Sequence, residues 1–304
     1  MPWIIALAIL FTGCSFLGEG YWLFEVCSHF RVQAMQLSLP FIAYTIWKRK
    51  NRQALLWICI ALIHYYPVFK LYVGTPTPVT KTTYRAMLLN LAQSRIENDL
   101  LQREIDRMNP DVILLLEATS AMQPLCDTLK ATYMYQLHQF REDPYGIAIL
   151  SRLPMNQSRL SVRGESPLST IQTDLHTPCG SFTFIGTHPP PPLDSTLAQV
   201  RNDTLNALSK WTHAARYPVI LMGDLNTTPF STSFHQLLRE SGLHDSTLGF
   251  GFQPTWRVGN PLLQLPLDHF LHDEQISVHR RTIGNELGSD HRPLFVEFSL
   301  GASR

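Results

Sequence analysis

Three stretches near the N-terminus carry no charged side chain at all: residues 1–18, 32–47 and 53–69. Each is 16 to 18 residues long, at the short edge of what crosses the ~30 Å hydrocarbon core of a bilayer. Three such runs within 73 residues leave no polar face for water, which argues against a set of soluble helices. Trp3, Trp22, Trp47, Tyr65, Tyr66 and Tyr72 flank the runs and suit the two membrane interfaces. No basic residue precedes the first run, as a cleaved signal peptide requires. The cluster KRKNR at 48–52 fixes orientation, because cations stay on the cytoplasmic side. The expectation is a multi-pass protein of the plasma (inner) membrane with three transmembrane helices in residues 1–73. Everything after Leu71 is then extracytoplasmic, even if the middle run, interrupted by Pro40, re-enters instead of crossing. GTPTPVTKTT (74–83) reads as a stiff polar linker, and 84–304 as the catalytic domain.

Charge narrows the partners. The chain carries 25 Lys+Arg against 24 Asp+Glu. Arg31, Lys48, Arg49, Lys50, Arg52 and Lys70 fall in the N-terminal third with only Glu19 and Glu25, so the remainder is slightly acidic. A domain that grips nucleic acid displays a basic surface to neutralise phosphates; stable nucleic-acid binding is therefore not expected. The five cysteines show neither zinc spacing nor a disulfide framework, although Cys126 and Cys179 could pair outside the cytoplasm.

Beyond Tyr84, short apolar runs alternate with helical patterns. Strands are expected at 86–90, 112–117, 146–150, 169–174, 181–187, 218–222, 268–271 and 293–299. Helical spacing covers 94–108, 195–214 and 231–241. Many strands with few helices point to an α/β protein: a two-sheet α/β sandwich with helices outside.

The polar residues that interrupt these runs carry the functional signal. Asn90, Glu117, His188, Asp224 with Asn226, Asp268, and Asp290 with His291 all end, flank or follow strand-like segments. Such positions can converge at one edge of a layered sheet protein. Carboxylates gathered there repel one another unless a cation neutralises them, and oxygen ligands suit Mg²⁺ or Mn²⁺. Two histidines beside them can hold a phosphate or move a proton near neutral pH. Carboxylates, a hard metal and two histidines together describe metal-assisted phosphoester hydrolysis.

The ordered series Asn90, VILLLE to Glu117, YGIAILSR (145–152), FIGTH to His188, VILMGDLN (219–226), LDH (267–269) and GSDHRPL (288–294) resembles the endonuclease/exonuclease/phosphatase superfamily and its DNase-I-like fold. The resemblance implies that Glu117 is the principal Mg²⁺ ligand with Asn90 beside it. It implies that Asp224 positions or deprotonates the attacking water, and that Asn226 and His188 contact the phosphate. His291, oriented by Asp290, corresponds to the catalytic histidine, and Asp268 to a carboxylate near the metal and leaving group. Two departures stand out: Asn90 is followed by Leu91-Ala92 where the family often has a second polar residue, and Tyr145 lies nearer Gly146 than the family's catalytic tyrosine. His235, His244, His269 and His272 read as structural.

THPPPP (187–192) forms a stiff extended wall beside His188. With three preceding spans it resembles the membrane-anchored bacterial branch of the superfamily. The lipid bilayer and a phosphorylated small-molecule or lipid-linked substrate are the expected partners. A surface nuclease scavenging DNA or RNA is the alternative enzyme. A non-catalytic membrane receptor for phosphorylated ligands is the alternative outside enzymes, though a receptor needs no water-activating pair.

Overall fold

The computed structural model describes residues 2–79, 82–94, 96–162 and 169–301; Thr80 and Lys81 of the expected linker lie outside them. Four helices open the chain: α1 (Pro2–Cys14), α2 (Trp22–His29), α3 (Arg31–Trp47) and α4 (Asn51–Lys70). α3 and α4 form a hairpin around the 48–50 turn, where Phe41 stacks on Trp57 with ring centres 4.5 Å apart. Pro40 lies inside α3 without ending it. Of the three runs expected to span, only α4 forms a helix long and apolar enough to cross a membrane by itself, among the described residues. α1 has only 13 residues, about 20 Å at ~1.5 Å per residue. α3 stops at 17 residues and includes Arg31, Gln33 and Gln36. α2, absent from the sequence reading, is short and carries Glu25 and His29.

Among the described residues, twelve strands build two six-stranded sheets. The first sheet contains β1 (Tyr84–Asn90), β2 (Val112–Leu116), β3 (Tyr135–Gln139), β4 (Ile147–Ser151), β11 (Ile276–Ile283) and β12 (Leu294–Leu300), in the order β11-β12-β1-β2-β4-β3. The second contains β5 (Met155–Val162), β6 (Ser169–Thr177), β7 (Gly180–Thr187), β8 (Val219–Asp224), β9 (His244–Asp245) and β10 (Asp268–His272), in the order β5-β6-β7-β8-β10-β9. Each has one parallel pair at its centre, β1 with β2 and β7 with β8, and antiparallel neighbours elsewhere. A parallel pair needs a crossover. Here α5 (Asn98–Met108) follows β1 and α7 (Ser195–Ala214) follows β7.

The inner faces of the sheets meet in a core that includes Leu88, Leu114, Ile149, Phe184, Met222, Phe270 and Phe298. α5 and α6 (Gln123–Leu129) cover the outer face of the first sheet through Leu101, Ile105 and Leu125. α7 and α8 (Thr232–Ser241) cover the second through Leu205, Leu208 and Phe234. VILLL and VILM are thus buried on both faces, which is why they read as unbroken apolar runs. The layers are helix, sheet, sheet, helix, as the sandwich expectation required.

The helical region is welded to this sandwich by polar contacts. Glu25 on α2 is buried against Arg201 of α7 and the hydroxyl of Ser233 on α8. His29 Nδ1 lies 3.0 Å from Thr228 Oγ1. The backbone N–H groups of Gly249 and Gly251 donate to the Leu71 carbonyl at 2.9 and 3.0 Å. Val32, Val68, Leu71 and Phe230 complete a small shared apolar cluster.

Candidate active site

Both parallel pairs end at the same edge of the sandwich. β1 and β2 deliver Asn90 and Glu117, and β7 and β8 deliver His188 and Asp224, two polar groups from each sheet. Glu117 takes a left-handed backbone conformation (φ 52°) as β2 ends, and Asn226 does the same (φ 48°) after β8. Glycines let the chains approach closely there. A Cβ on Gly223 would sit 2.0 Å from the Thr187 carbonyl, and one on Gly146 2.0 Å from that of Ala118.

Asn90 links the carboxylates. Its Nδ2 donates to Glu117 Oε1 at 3.1 Å and to Asp224 Oδ2 at 3.0 Å, while its Oδ1 accepts from the Ala92 N–H. Gln93 donates to the other oxygen of Glu117 at 3.3 Å. Asp224 lies between two imidazoles, with Oδ2 3.5 Å from His188 Nε2 and 3.6 Å from His291 Nε2. His188 is oriented by Nδ1 at 3.1 Å from the Pro144 carbonyl. Asn226 donates to the Pro189 carbonyl at 2.9 Å, which ties the GDLN turn to the start of the proline run.

The carboxylate that orients His291 is Asp268, with Oδ2 2.8 Å from Nδ1. Asp290, expected in that role, is exposed and accepts from Trp256 Nε1 at 2.8 Å. Asp268 reaches His291 because β10 pairs antiparallel with β8, placing Asp268 opposite Asp224. Expected at the metal and leaving group, Asp268 also orients His291 through Oδ2, which leaves only Oδ1 to face a ligand. That oxygen is buried with no hydrogen-bond partner in the protein.

The electrostatics follow from this packing. Burial alone would raise the Asp224 carboxyl, but the hydrogen bond from His188 and the charges of both histidines outweigh it and hold it at about 2. Burial pulls His291 down, yet Asp268 first, then Asp224 and Asp290, carry it up to about 9. His188 moves the same way: Asp224 and Glu117 overcome its desolvation. At neutral pH the centre therefore presents a charged His291 beside an ionised Asp224, with His188 shifted in the same direction. That arrangement can grip the anionic oxygens of a phosphoester and steady charge developing on them.

Carboxylate oxygens of Glu117, Asp224 and Asp268 offer a divalent cation a hard donor set, with the orphaned Asp268 Oδ1 as a free acceptor. Ligand atoms of Asp224, Asp268 and His291 lie within 4.8 Å of one another. Of this group, His291 is the member already committed, through Nδ1, to Asp268. These residues fit a hard divalent ion.

Several supporting residues escaped the sequence reading. Ser289 donates to the Asn90 carbonyl at 2.7 Å and accepts from the His291 N–H at 3.0 Å, pinning the SDH turn to β1. Thr255 accepts from the N–H of Asp268 at 3.2 Å. Arg201 NH1 donates to the Asn226 carbonyl at 3.2 Å. Ser289 had a signal, its place in GSDH; Thr255 and Arg201 had none. Tyr145 is half-buried, and burial together with Asp143 and Glu117 raises its phenol. His269 is fully buried, with Nε2 2.9 Å from the Thr227 carbonyl and its ring against Phe234, as a structural histidine should be. All five cysteines are free; Cys126 is buried and Cys179 exposed, so they do not pair.

Comparison with known proteins gives the same outline. The model of the Endonuclease/Exonuclease/phosphatase family matches residues 87–291. Among solved structures, an endonuclease/exonuclease/phosphatase from Beutenbergia cavernae is 19% identical, with a TM-score of 0.61, covering 73% of this chain and 72% of its own. TDP2 from D. rerio, complexed with a single strand DNA product, is 14% identical with a TM-score of 0.61, covering 72% of this chain and 100% of its own. The human Nocturnin catalytic domain is 21% identical with a TM-score of 0.58, covering 72% and 94%. At these identities the likeness is one of fold. No curated protein matches the sequence.

Proposed function

Because the chain belongs to the endonuclease/exonuclease/phosphatase family, whose members are phosphoesterases and nucleases, we propose that it is a membrane-anchored, extracytoplasmic, divalent-metal-dependent hydrolase of lipid-linked or small phosphoesters. The observation that carries the reaction is Asp224 set between the imidazoles of His188 and His291, with Glu117 and Asn90 alongside. In this reading Glu117, Asp224 and Asp268 would hold Mg²⁺ or Mn²⁺, which supplies charge stabilisation at the phosphoryl oxygens. His291 donates to those same oxygens as a cation, and His188 contacts them from the other side of Asp224. Asp268 keeps His291 in the correct tautomer and charged. Asp224, held ionised between the two imidazoles, positions the attacking water or takes its proton. Asn226, fixed by its backbone and the Pro189 carbonyl, lines the phosphate position.

Support for the membrane setting comes from the outward side chains of the helical region. Leu10 is 63% exposed, Leu55 62% and Trp47 72%, an apolar surface that water solvates poorly and lipid solvates well. The KRKNR turn between α3 and α4 would then face the cytoplasm and the sandwich the other side. This arrangement is the one the membrane-anchored bacterial branch would have.

Two experiments test the reading. Alkaline phosphatase fused after Thr83 should be active; an inactive fusion paired with a fluorescent cytoplasmic reporter overturns the orientation. The full chain, purified in detergent, should release product from a phospholipid or a small phosphodiester with Mg²⁺ and not with chelator. Cleavage of plasmid DNA alone would replace the assignment with the nuclease alternative.

A further inference from the structure

A second concavity lies away from the catalytic edge. α1, α3 and α4 enclose a cavity of about 720 Å³, within the roughly 300–1,000 Å³ of small-molecule sites. Its walls are hydrocarbon, from residues such as Leu7, Ala34, Leu37 and Ile60. Leu7 and Leu37 are more than half exposed, so the cavity opens onto the apolar outer face of the helices.

Two further observations distinguish it from a packing gap. First, buried polar groups line it without protein partners. Trp57 Nε1, His64 Nδ1 and Gln33 Oε1 have none, although all three side chains are nine-tenths or more buried. A buried indole N–H can only donate, so it calls for an acceptor oxygen. Second, one wall is supplied by the sandwich. Leu262 and Leu263, at the tip of the hairpin that Trp256 and Leu265 close, lean into the cavity, and Gln33 Nε2 donates to the Gln264 carbonyl at 3.0 Å. The base of that hairpin is fastened to the catalytic segment. Trp256 bridges the backbone of His291, its indole donates to Asp290, and the Val258 N–H donates to the Asp290 carbonyl at 2.9 Å.

We propose that this cavity holds an ester-linked acyl chain of a glycerophospholipid, and that the phosphoester hydrolysed at the catalytic edge belongs to that lipid. The inference rests on the phosphoesterase reading and names its substrate class. The hydrocarbon walls fit the chain. The unpartnered Trp57 indole N–H fits an ester carbonyl, the one polar group an acyl chain carries and a polyprenyl chain lacks. The hairpin makes the wall of the cavity and the mount of His291 one structure, so chain and headgroup are read by a single element.

The test uses the full chain in detergent and a diacylglycerophospholipid with a photoactivatable diazirine midway along one acyl chain. Labelling should map to residues 34–41 and to Leu262–Leu263. Unlabelled diacyl lipid should compete better than its dialkyl ether analogue or a polyprenyl phosphate. Ala34→Trp, which fills the cavity, should weaken labelling. It should also lower the ratio of kcat/KM for long-chain over short-chain lipid roughly tenfold, the worth of about two buried methylenes. The double variant Leu262→Ser/Leu263→Ser, at an exposed tip, should act in the same direction should Ala34→Trp fail to fold. Labelling confined to outward-facing Leu10, Leu55 and Leu62 overturns the proposal. So does labelling in the cavity with an unchanged chain-length ratio, which would make the occupant a structural lipid, or equal competition by polyprenyl phosphate. Labelling needs no turnover. A wild-type chain that is labelled in the cavity yet hydrolyses neither lipid nor small phosphodiester overturns the phosphoesterase reading instead.

Discussion

The helical region and the sandwich distribute their side chains in opposite ways. In the sandwich, leucine, phenylalanine and methionine fill the interior, and its exposed large apolar residues are scattered, such as Leu100, Met134 and Leu193. In residues 2–73 many large apolar side chains, such as Leu10, Leu37 and Leu55, point outward, while Glu25, His29, Arg31, Thr45 and His64 are buried. The contrast teaches that the two regions hold together differently: the sandwich by its apolar core, the helical region in large part by buried polar links. The outward leucines are the physical basis of the bilayer proposal. The polar links, moreover, lead to the catalytic loop: Glu25 pairs with Arg201, and Arg201 holds the Asn226 carbonyl.

Substitutions can break or sharpen this contrast. The largest effect belongs to the chemistry, confined to the sandwich. His291→Ala should lower kcat by ~10²–10⁴-fold, far more than it raises KM. Asp268→Asn should reproduce much of that loss, and Asp290→Asn little of it. His269→Ala should instead lower Tm before it touches kcat; near-normal turnover in folded His291→Ala with a dead His269→Ala would assign the chemistry to the wrong histidine. Next comes the seam between the regions. Glu25→Ala strands a fully buried guanidinium and should cost about 3–5 kcal/mol in chemical denaturation. Glu25→Met with Arg201→Met should recover most of it, whereas additive losses would show that the pair is not the link.

A smaller effect tests the outward leucines. Leu10→Gln, Leu55→Gln and Leu62→Gln together should weaken retention in membranes by about 1 kcal/mol or more per site. They should change Tm in detergent less than Glu25→Ala does; a collapse of Tm would mean these side chains pack on protein. The smallest test lies at the far side of the sandwich. Burial raises the Glu104 carboxyl, but Arg107 and the Asn285 backbone and side chain outweigh it and lower it overall. Its contribution is therefore present above the ordinary carboxylate range and disappears as pH falls through the lowered folded value. Glu104→Gln should cost about 1 kcal/mol at neutral pH and less in acid; a loss that grows in acid would reverse the sign.

How much of this was legible in the sequence depended on burial. The eight expected strands form, and the helix at 195–214 has the expected limits. The four strands not anticipated, β3, β5, β9 and β11, are the four outer edges of the two sheets. Edge strands are half-solvated, so segments such as YQLHQ and MNQSRLSV carry polar residues that hide their pattern. The strand-end residues of the site were readable for the opposite reason, as polar interruptions in fully apolar runs. Which carboxylate serves His291 was not, because the choice is made by the register of β10 on β8. Nor could Glu25 be matched to Arg201, 176 positions away, by any local rule.

The pairing of β12 with β1 sets an order of assembly. Ser289 and Asn90, hydrogen-bonded across that junction, are 199 positions apart in sequence. Closing so long a loop is slow, and contacts of this kind form late. A chain growing from its N-terminus carries Asn90, Glu117, His188 and Asp224 before it carries His291. Until the last strand pairs with the first, Glu117 and Asp224 have no placed His291 beside them. The two halves of the site thus meet only when the two ends of the sandwich do.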